Sequence, residues 1–420
     1  MSEALRHLPH DARLLFATRF IRLFAYGALS VVLVFYLIAL GLTEAQTGLL
    51  LTATLVGDTI VSLFLTTRAD RIGRRATLIA GAVLMAAAGV AFASTRSWWW
   101  LVLAGTIGVI SPSGHEVGPF LSIEQAALAQ IVPDRGRTTL FAWYTLAGSM
   151  ATALGSLAGG TLVYLLQRAS LPSVDAYRSV VLVYAAVGAI LTLLFTQLSS
   201  DSEATRAAAP QQAGILAALS GVPLSGPTVW KLSALFALDS FGGGFVVQGF
   251  AAYWFHLRFG IEPGALGVIF LTANVLAGVS ALLAARLAAR FGLINTMVAT
   301  HLPSNVLLIL VPLMPTLPLA VAVLWLRFSI SQMDVPARQS YVMAVVPPAE
   351  RSAAAGITGV ARTMGAALSP LLAGALFAQP EWISFPFFVA GGLKIVYDLS
   401  LYRAFVSVRP PEEAVHATTP

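Results

Sequence analysis

The chain has 420 residues, of which 57% are hydrophobic and 10% charged, with 25 Lys and Arg against 19 Asp and Glu. A soluble domain carries about a quarter charged residues, so too little polar surface exists here to cover a water-soluble particle, and a disordered chain is excluded on the same ground. The apolar content suffices instead for about a dozen membrane helices of about 20 residues each.

In chain order the apolar runs predict spans over 14–42, 47–67, 76–94, 98–132, 138–166 and 178–198. A polar stretch from 199 to 227 follows, and a second set runs over 229–256, 265–289, 294–314, 317–346, 353–378 and 383–406. The expected fold is an all-α polytopic membrane protein with twelve transmembrane helices in two pseudo-symmetric six-helix bundles. Its divisions are a first bundle over 1–198, a cytoplasmic linker over 199–227, a second bundle over 228–406 and a cytoplasmic tail over 407–420. The first apolar run is too long for a signal-peptide core, so no cleavable leader is expected.

All basic residues but Lys231 and Lys394 are arginines. They gather at span ends: fifteen on one side of the expected membrane and four (Arg96, Arg168, Arg178, Arg258) on the other. This asymmetry predicts both termini in the cytoplasm of a cell (inner) membrane, and it explains the net positive charge without a nucleic-acid partner. Trp98, Trp99 and Trp100 then fall at the outer interface, where aromatic belts occur. The absence of cysteine excludes disulfides and thiolate metal sites.

The two sets resemble each other. Gly41, Gly48, Arg71 and Gly73 match Gly260, Gly267, Arg290 and Gly292 at an offset of 219. Gln125, Pro133, Arg137 and Gly160 match Gln339, Pro347, Arg351 and Gly374 at an offset of 214. Constant offsets over two stretches predict an internal duplication, and parallel repeats of this kind place a binding site at the repeat interface.

After the second span the sequence reads Arg68-Ala69-Asp70-Arg71-Ile72-Gly73-Arg74-Arg75. This resembles the loop signature G-x-L-x-D-R-x-G-R-R of the major facilitator superfamily. Thr66 and Arg68 stand where the pattern has glycine and leucine. Arg286, Arg290 and Gly292 form a weaker echo in the second half, with Ala289 at the acid position. Pro133-Asp134-Arg135-Gly136-Arg137 and Pro348-Ala349-Glu350-Arg351 resemble the family's loops before the fifth and eleventh helices. The resemblance spans nearly the whole chain and extends to bacterial drug/proton antiporters and related small-solute permeases. It implies that Asp70, Arg71, Gly73 and Arg74 belong to a cytoplasmic latch, and that the first, fourth, seventh and tenth helices line a central cavity. It also implies that the second and eleventh helices meet between the halves, where Asp58 and Arg362 are expected to form a salt bridge.

Charges at membrane depth are functional candidates because burying them is expensive. The four cavity helices carry Arg22, Glu116, Glu124, Asp239, Arg327, Asp334 and Arg338. Arg22, Glu124, Asp239 and Arg338 lie about eight to ten residues, roughly 12–15 Å, from the cytoplasmic end of their helices and are expected to form one ion-pair network across the cavity. Arg327, Asp334, Arg338 and Tyr341 recur at i, i+7, i+11 and i+14 of one helical stripe, and Arg22 with Tyr26 begins a similar one. Two prolines and two glycines within 111–119 predict a break in the fourth span, with His115 and Glu116 beside the substrate. Glu116, Asp239 and Asp334 are the candidate proton-coupling carboxylates. Lys394 and Asp398, at i and i+4, read as a structural pair.

These features predict a secondary transporter moving a small organic solute by alternating access, with protons as coupling ion, lipid bilayer as surroundings and a monomer as working unit. Proton-coupled efflux of amphipathic compounds is one reading. Transport of an organic anion, such as a phosphorylated or carboxylated metabolite held by Arg22, Arg327 and Arg338, is the other. A non-transporting sensor is a remoter one. No cofactor or metal is expected: the sequence has no phosphate-binding G-K-[ST] loop, and its histidines lack ligand spacing. An enzyme is not expected, since no cysteine and no positioned nucleophile with its base is visible.

Overall fold

The computed structural model describes residues 8–114, 116, 118–131, 134–203, 226–346 and 351–408. Among the described residues the regular structure is helical, without strands. Ten helices among the described residues are long and apolar enough to cross a membrane. Helix α1 covers His10–Ala39, α2 Glu44–Thr66, α3 the short turn Ala69–Ile72, and α4 Arg74–Ser94. The fourth span is divided into α5 (Trp98–Ile107) and α6 (Phe120–Ile131), and α7 (Asp134–Arg168) and α8 (Ser173–Phe195) follow. In the second half α9 is Gly226–Gly244, α10 Gln248–Phe259, α11 Pro263–Phe291, and α12 Leu293–Leu310. The tenth span is divided into α13 (Leu317–Phe328) and α14 (Asp334–Ala344), and α15 (Arg351–Phe377) and α16 (Phe385–Phe405) end the fold.

The break in the fourth span follows from its prolines and from Gly114 and Gly118, both at positive φ. The tenth span holds a break that the sequence reading did not expect. Pro336 bears on it: its ring has no N–H for the Gln332 carbonyl and crowds it, which disfavours a helix continuing back through 332, although Pro303 and Pro370 are accommodated inside α12 and α15. Asp334 sits instead in the first turn of α14. Because α13 and α14 are separate helices, the stripe predicted from Arg327 to Tyr341 is not one helical face. The seventh span is also interrupted, between Gly244 and Gln248.

The chain packs as two units. The first comprises Met1–Gln212 together with Val247–Asn274; the second comprises Ala213–Val246 and Val275–Pro420. In the first unit α1 packs along α7 through glycines: a Cβ on Gly27 would strike the Thr152 carbonyl, and one on Gly155 the Phe24 carbonyl. In the second unit α9 packs along α15 in the same manner, Gly244 against the Ala366 carbonyl and Gly365 against Ala237. Small residues allow such close backbone approach, which brings dispersion contacts where lipid offers no hydrophobic drive. Gly27 and Gly244 lie 217 residues apart, and Thr152 and Ala366 lie 214 apart, so the two helix pairs are equivalent.

The segment Val247–Asn274 is held inside the first unit by a polar knot. Gln248 Nε2 donates to Ser30 Oγ at 2.8 Å and Ser156 Oγ at 3.0 Å, and Asn274 Nδ2 donates to Gln248 Oε1 at 3.1 Å. Tyr253 adds a bond to Glu44 at 2.8 Å. The outward faces of the helices carry large apolar side chains, Trp99 at 78% and Leu193 at 67% exposure among them, as a lipid-facing surface requires.

Candidate functional site

In the first unit Arg22 is fully buried on α1 and grips Glu124 of α6 with both ends of its guanidinium, Nη1 to Oε1 at 2.6 Å and Nη2 to Oε2 at 2.8 Å. Nη2 also reaches Glu116 Oε1 at 2.5 Å, and Tyr144 donates to Glu124 Oε2 at 2.5 Å. Two charges can share a dry site when they are paired this fully. Phe120 lies under the Arg22 guanidinium, 4.3 Å from it. Glu124 has no exposed surface, whereas the Glu116 side chain keeps 14%, and its Oε2 lacks a hydrogen-bond partner. Arg19 approaches that oxygen at 3.3 Å and stacks on Tyr144, with its own Nε and Nη1 unsatisfied. Arg19 was not among the residues expected from sequence, although it lies one helical turn from Arg22 and shares its face.

The broken segment beside this cluster is satisfied from neighbouring helices. Asp58 of α2 accepts from the Gly118 N–H at 2.7 Å, Thr152 of α7 donates to the Gly114 carbonyl at 3.2 Å, and Tyr184 of α8 donates to the Val109 carbonyl. Irregular backbone persists at membrane depth only where such partners exist. Tyr26 is fully buried and stacks on Tyr184. His115 lies outside the described residues.

In the second unit Asp239 of α9 receives Arg338 of α14 at 3.2 Å and Lys394 of α16 at 2.6 Å, and Arg338 also meets Asp334 at 3.1 Å. His301 of α12 stands 3.6 Å from Asp239 and 2.8 Å from Asp398 of α16, which Asn305 also binds at 2.8 Å. The expected Lys394–Asp398 pair is therefore corrected. Shared helical spacing puts both on one face, but each turns to a stronger partner on another helix. Tyr341 is fully buried and donates to the Val408 carbonyl at 3.0 Å. Arg327 lies at the end of α13 over Phe328. Its Nε has no hydrogen-bond partner, and among the described residues no carboxylate comes within 4.0 Å of the guanidinium.

The expected four-charge network thus resolves into two clusters, one in each unit, because each carboxylate is paired by an arginine of its own unit. The signs are inverted between them. Arg22 corresponds to Asp239 at the offset of 217, and Glu124 corresponds to Arg338 at 214. Asp58 and Arg362 likewise have partners within their own units: Asp58 the Gly118 N–H, Arg362 the Ser240 hydroxyl at 3.3 Å.

The loop at 68–75 is organised by Glu203, a residue of the expected cytoplasmic linker. The carboxylate of Glu203 accepts from the Arg74 and Arg75 N–H groups at 2.7 and 3.1 Å, capping α4, whose N-cap Gly73 has φ +111°. Gly292 holds the same place before α12 with φ +84°. A side chain is strained at either position. Arg74 also donates to Gln130 at 3.0 Å, while Arg71 is exposed and the Asp70 side chain lies outside the described residues. Asp11 anchors the preceding turn by accepting from the Ser199 hydroxyl at 2.7 Å. Among the described residues no group of three or more His, Asp and Glu side chains is arranged to hold a metal.

The Major Facilitator Superfamily sequence profile matches residues 15–331 and, again, 242–420. The uncharacterized membrane protein YJR124C of Saccharomyces cerevisiae is 32% identical over 424 residues, covering 95% of this chain and 94% of that protein. A crystal structure of a mutant of the nucleoside transporter NupG superposes with a TM-score of 0.76 at 16% identity, covering 94% of this chain and all of that one. A D-xylose-proton symporter superposes at 0.73 with 18% identity, covering 93% and 97%. The protein is a multi-pass membrane transporter of small solutes rather than an enzyme, and it belongs to the Major Facilitator Superfamily.

Proposed function

We propose that this transporter exports amphipathic small molecules in exchange for protons, with Glu116 as the carboxylate that exchanges the proton. The observation that supports this reading is the inequality of the two acids on Arg22. Glu124 is saturated and sealed, while Glu116 keeps an exposed edge and an oxygen without a hydrogen-bond partner. A proton reaching Glu116 weakens its hold on Arg22 and Arg19 without dismantling the Glu124 pair. Asp239 and Asp334 are the further proton-coupling carboxylates, in the second unit, and the latch residues Asp70, Arg71, Gly73 and Arg74 together with Asp58 and Arg362 govern the alternation. The proposal includes a monomer in the cell (inner) membrane with both termini cytoplasmic, consistent with the one-sided arginine distribution.

Purified protein in liposomes carrying a fluorescent amphipathic cation tests it. An imposed pH gradient drives flux in the wild type, and Glu116→Gln abolishes the pH dependence while leaving the fold intact by circular dichroism. Equal pH-driven flux in Glu116→Gln overturns the assignment.

A second reading, transport of organic anions, is favoured by Arg327, a guanidinium without a carboxylate partner among the described residues. Anion flux that disappears in Arg327→Gln and persists in Glu116→Gln would favour it over the first.

A further inference from the structure

His301 occupies a place that neither reading uses. It is buried on α12 at 6% exposure, between two carboxylates on two other helices. Its Nδ1 lies 2.8 Å from Asp398 Oδ1, and Asn305 Nδ2 orients the same carboxylate from 2.8 Å at Oδ2. Asn305 Nδ2 also lies 3.1 Å from His301 Nδ1, but it donates over the shorter distance to Asp398 Oδ2; the closer neighbour of Nδ1 is the Asp398 oxygen, which accepts, so the ring hydrogen of the neutral imidazole is assigned to Nδ1. That leaves the Nε2 lone pair directed at Asp239 Oδ1, 3.6 Å away. Two acceptors face each other there, and a proton would turn the gap into a charge-assisted bond. The same oxygen already receives Lys394 Nζ at 2.6 Å.

We propose that His301 is a proton-binding site of the second unit, and that its protonated Nε2 competes with Lys394 for Asp239. The proton comes from water and adds to the Nε2 lone pair; the Nδ1 hydrogen stays directed at Asp398, and no other covalent bond changes. Histidine is the side chain whose charge changes near neutral pH, and here it has a carboxylate on each side. The other charged groups around it are Lys394 and Asp398 on α16, Arg338 and Asp334 on α14 through Asp239, and Arg327 and Arg362 within the field of Asp239, with the Tyr397 ring packed edge-on at 5.8 Å. Proton uptake therefore loosens the Lys394–Asp239 pair and, through Oδ2 of the same carboxylate, the tie between α9 and α14. The inference adds a second proton site to the proton-coupled reading and rests on it only for its role in transport.

The test uses full-length protein in nanodiscs, labelled with 15N-histidine, in a variant whose other five histidines are glutamine, so that His301 is the sole imidazole. The expected result is a Nδ1–H tautomer at high pH that becomes doubly protonated between about pH 5 and 8, with the midpoint displaced by about one pH unit in Asp239→Asn. A ring that keeps one tautomer over that range, or a midpoint indifferent to Asp239→Asn, overturns the site. If the five-fold variant does not fold, the same titration in wild type identifies the signal as the one lost in His301→Gln. Flux distinguishes this inference from the broader reading. A titrating His301 in a protein with no pH-driven flux refutes proton coupling alone, and pH-driven flux with an inert His301 refutes this site alone.

Discussion

Arg22 binds Glu124 through two parallel hydrogen bonds, and neither side chain has any exposed surface. Removing one partner strands the other charge in a dry interior, which is far costlier than removing both. Arg22→Met, which leaves the buried Glu124 carboxylate with only the Tyr144 hydroxyl among its hydrogen-bond partners described above, is therefore expected to lower stability by roughly 3–5 kcal/mol. Arg22→Met combined with Glu124→Leu recovers most of that loss, since Arg19 remains to hold Glu116. Unfolding curves in detergent measure both, and a single variant as stable as the double variant contradicts the expectation.

The glycine contacts between α1 and α7 and between α9 and α15 lead to a matched pair of expectations. Gly27→Ala and Gly244→Ala each force a Cβ against a backbone carbonyl that cannot swing away, so each destabilises by about 1–3 kcal/mol. Gly359→Ala, which meets nothing within 4 Å, is expected to be neutral or to stabilise by up to about 1 kcal/mol through helix propensity. Melting temperatures of the three variants check the ordering.

Glu203→Ala removes the acceptor of two N–H groups at the start of α4. The loss is comparable to that of a helix cap, about 0.5–2 kcal/mol, and it is local. Amide hydrogen exchange at Arg74 and Arg75 should accelerate, with protection in the middle of α4 unchanged. Unaltered exchange at those two amides would show that water replaces the carboxylate without loss.

Asp58 acts here as a hydrogen-bond acceptor for Gly118. Asp58→Asn keeps an oxygen in place and is expected to stay near wild-type stability. Asp58→Leu leaves a buried N–H unpaired and loses about 1–3 kcal/mol. If the two variants fall equally, the negative charge is what matters at this position, as an ion pair with Arg362 would require.

Much of the architecture was legible in the sequence, for a physical reason. Lipid demands long apolar helices, so span ends could be placed within a few residues, and the prolines and glycines of 111–119 announced the first break. The second break was hidden because 329–333 contains neither Pro nor Gly; Pro336, which bears on it, acts one turn back along the chain. The charged residues were identifiable one by one, but not their partners. Helical spacing says which face a side chain shares, as for Lys394 and Asp398, and nothing of the competing charges on the next helix. Glu203 escaped notice because a carboxylate just past a span looks like linker until the turn at Ser200–Ser202 folds it back onto α4.

The inverted signs of the two clusters bear on how a duplicated chain sorts its own helices. The glycine contacts join the first and fifth helices alike in both repeats, so packing alone does not stop the first helix of one repeat from docking in the bundle of the other. Charge forbids it. Such a swap would bring Arg22 against Arg338 and Asp239 against Glu124, sealing like charges together in lipid, where repulsion is strongest. Among the described residues Arg22 and Arg338 each find their complement within their own repeat, so a pair of opposed substitutions distinguishes two bundles that share their helix packing.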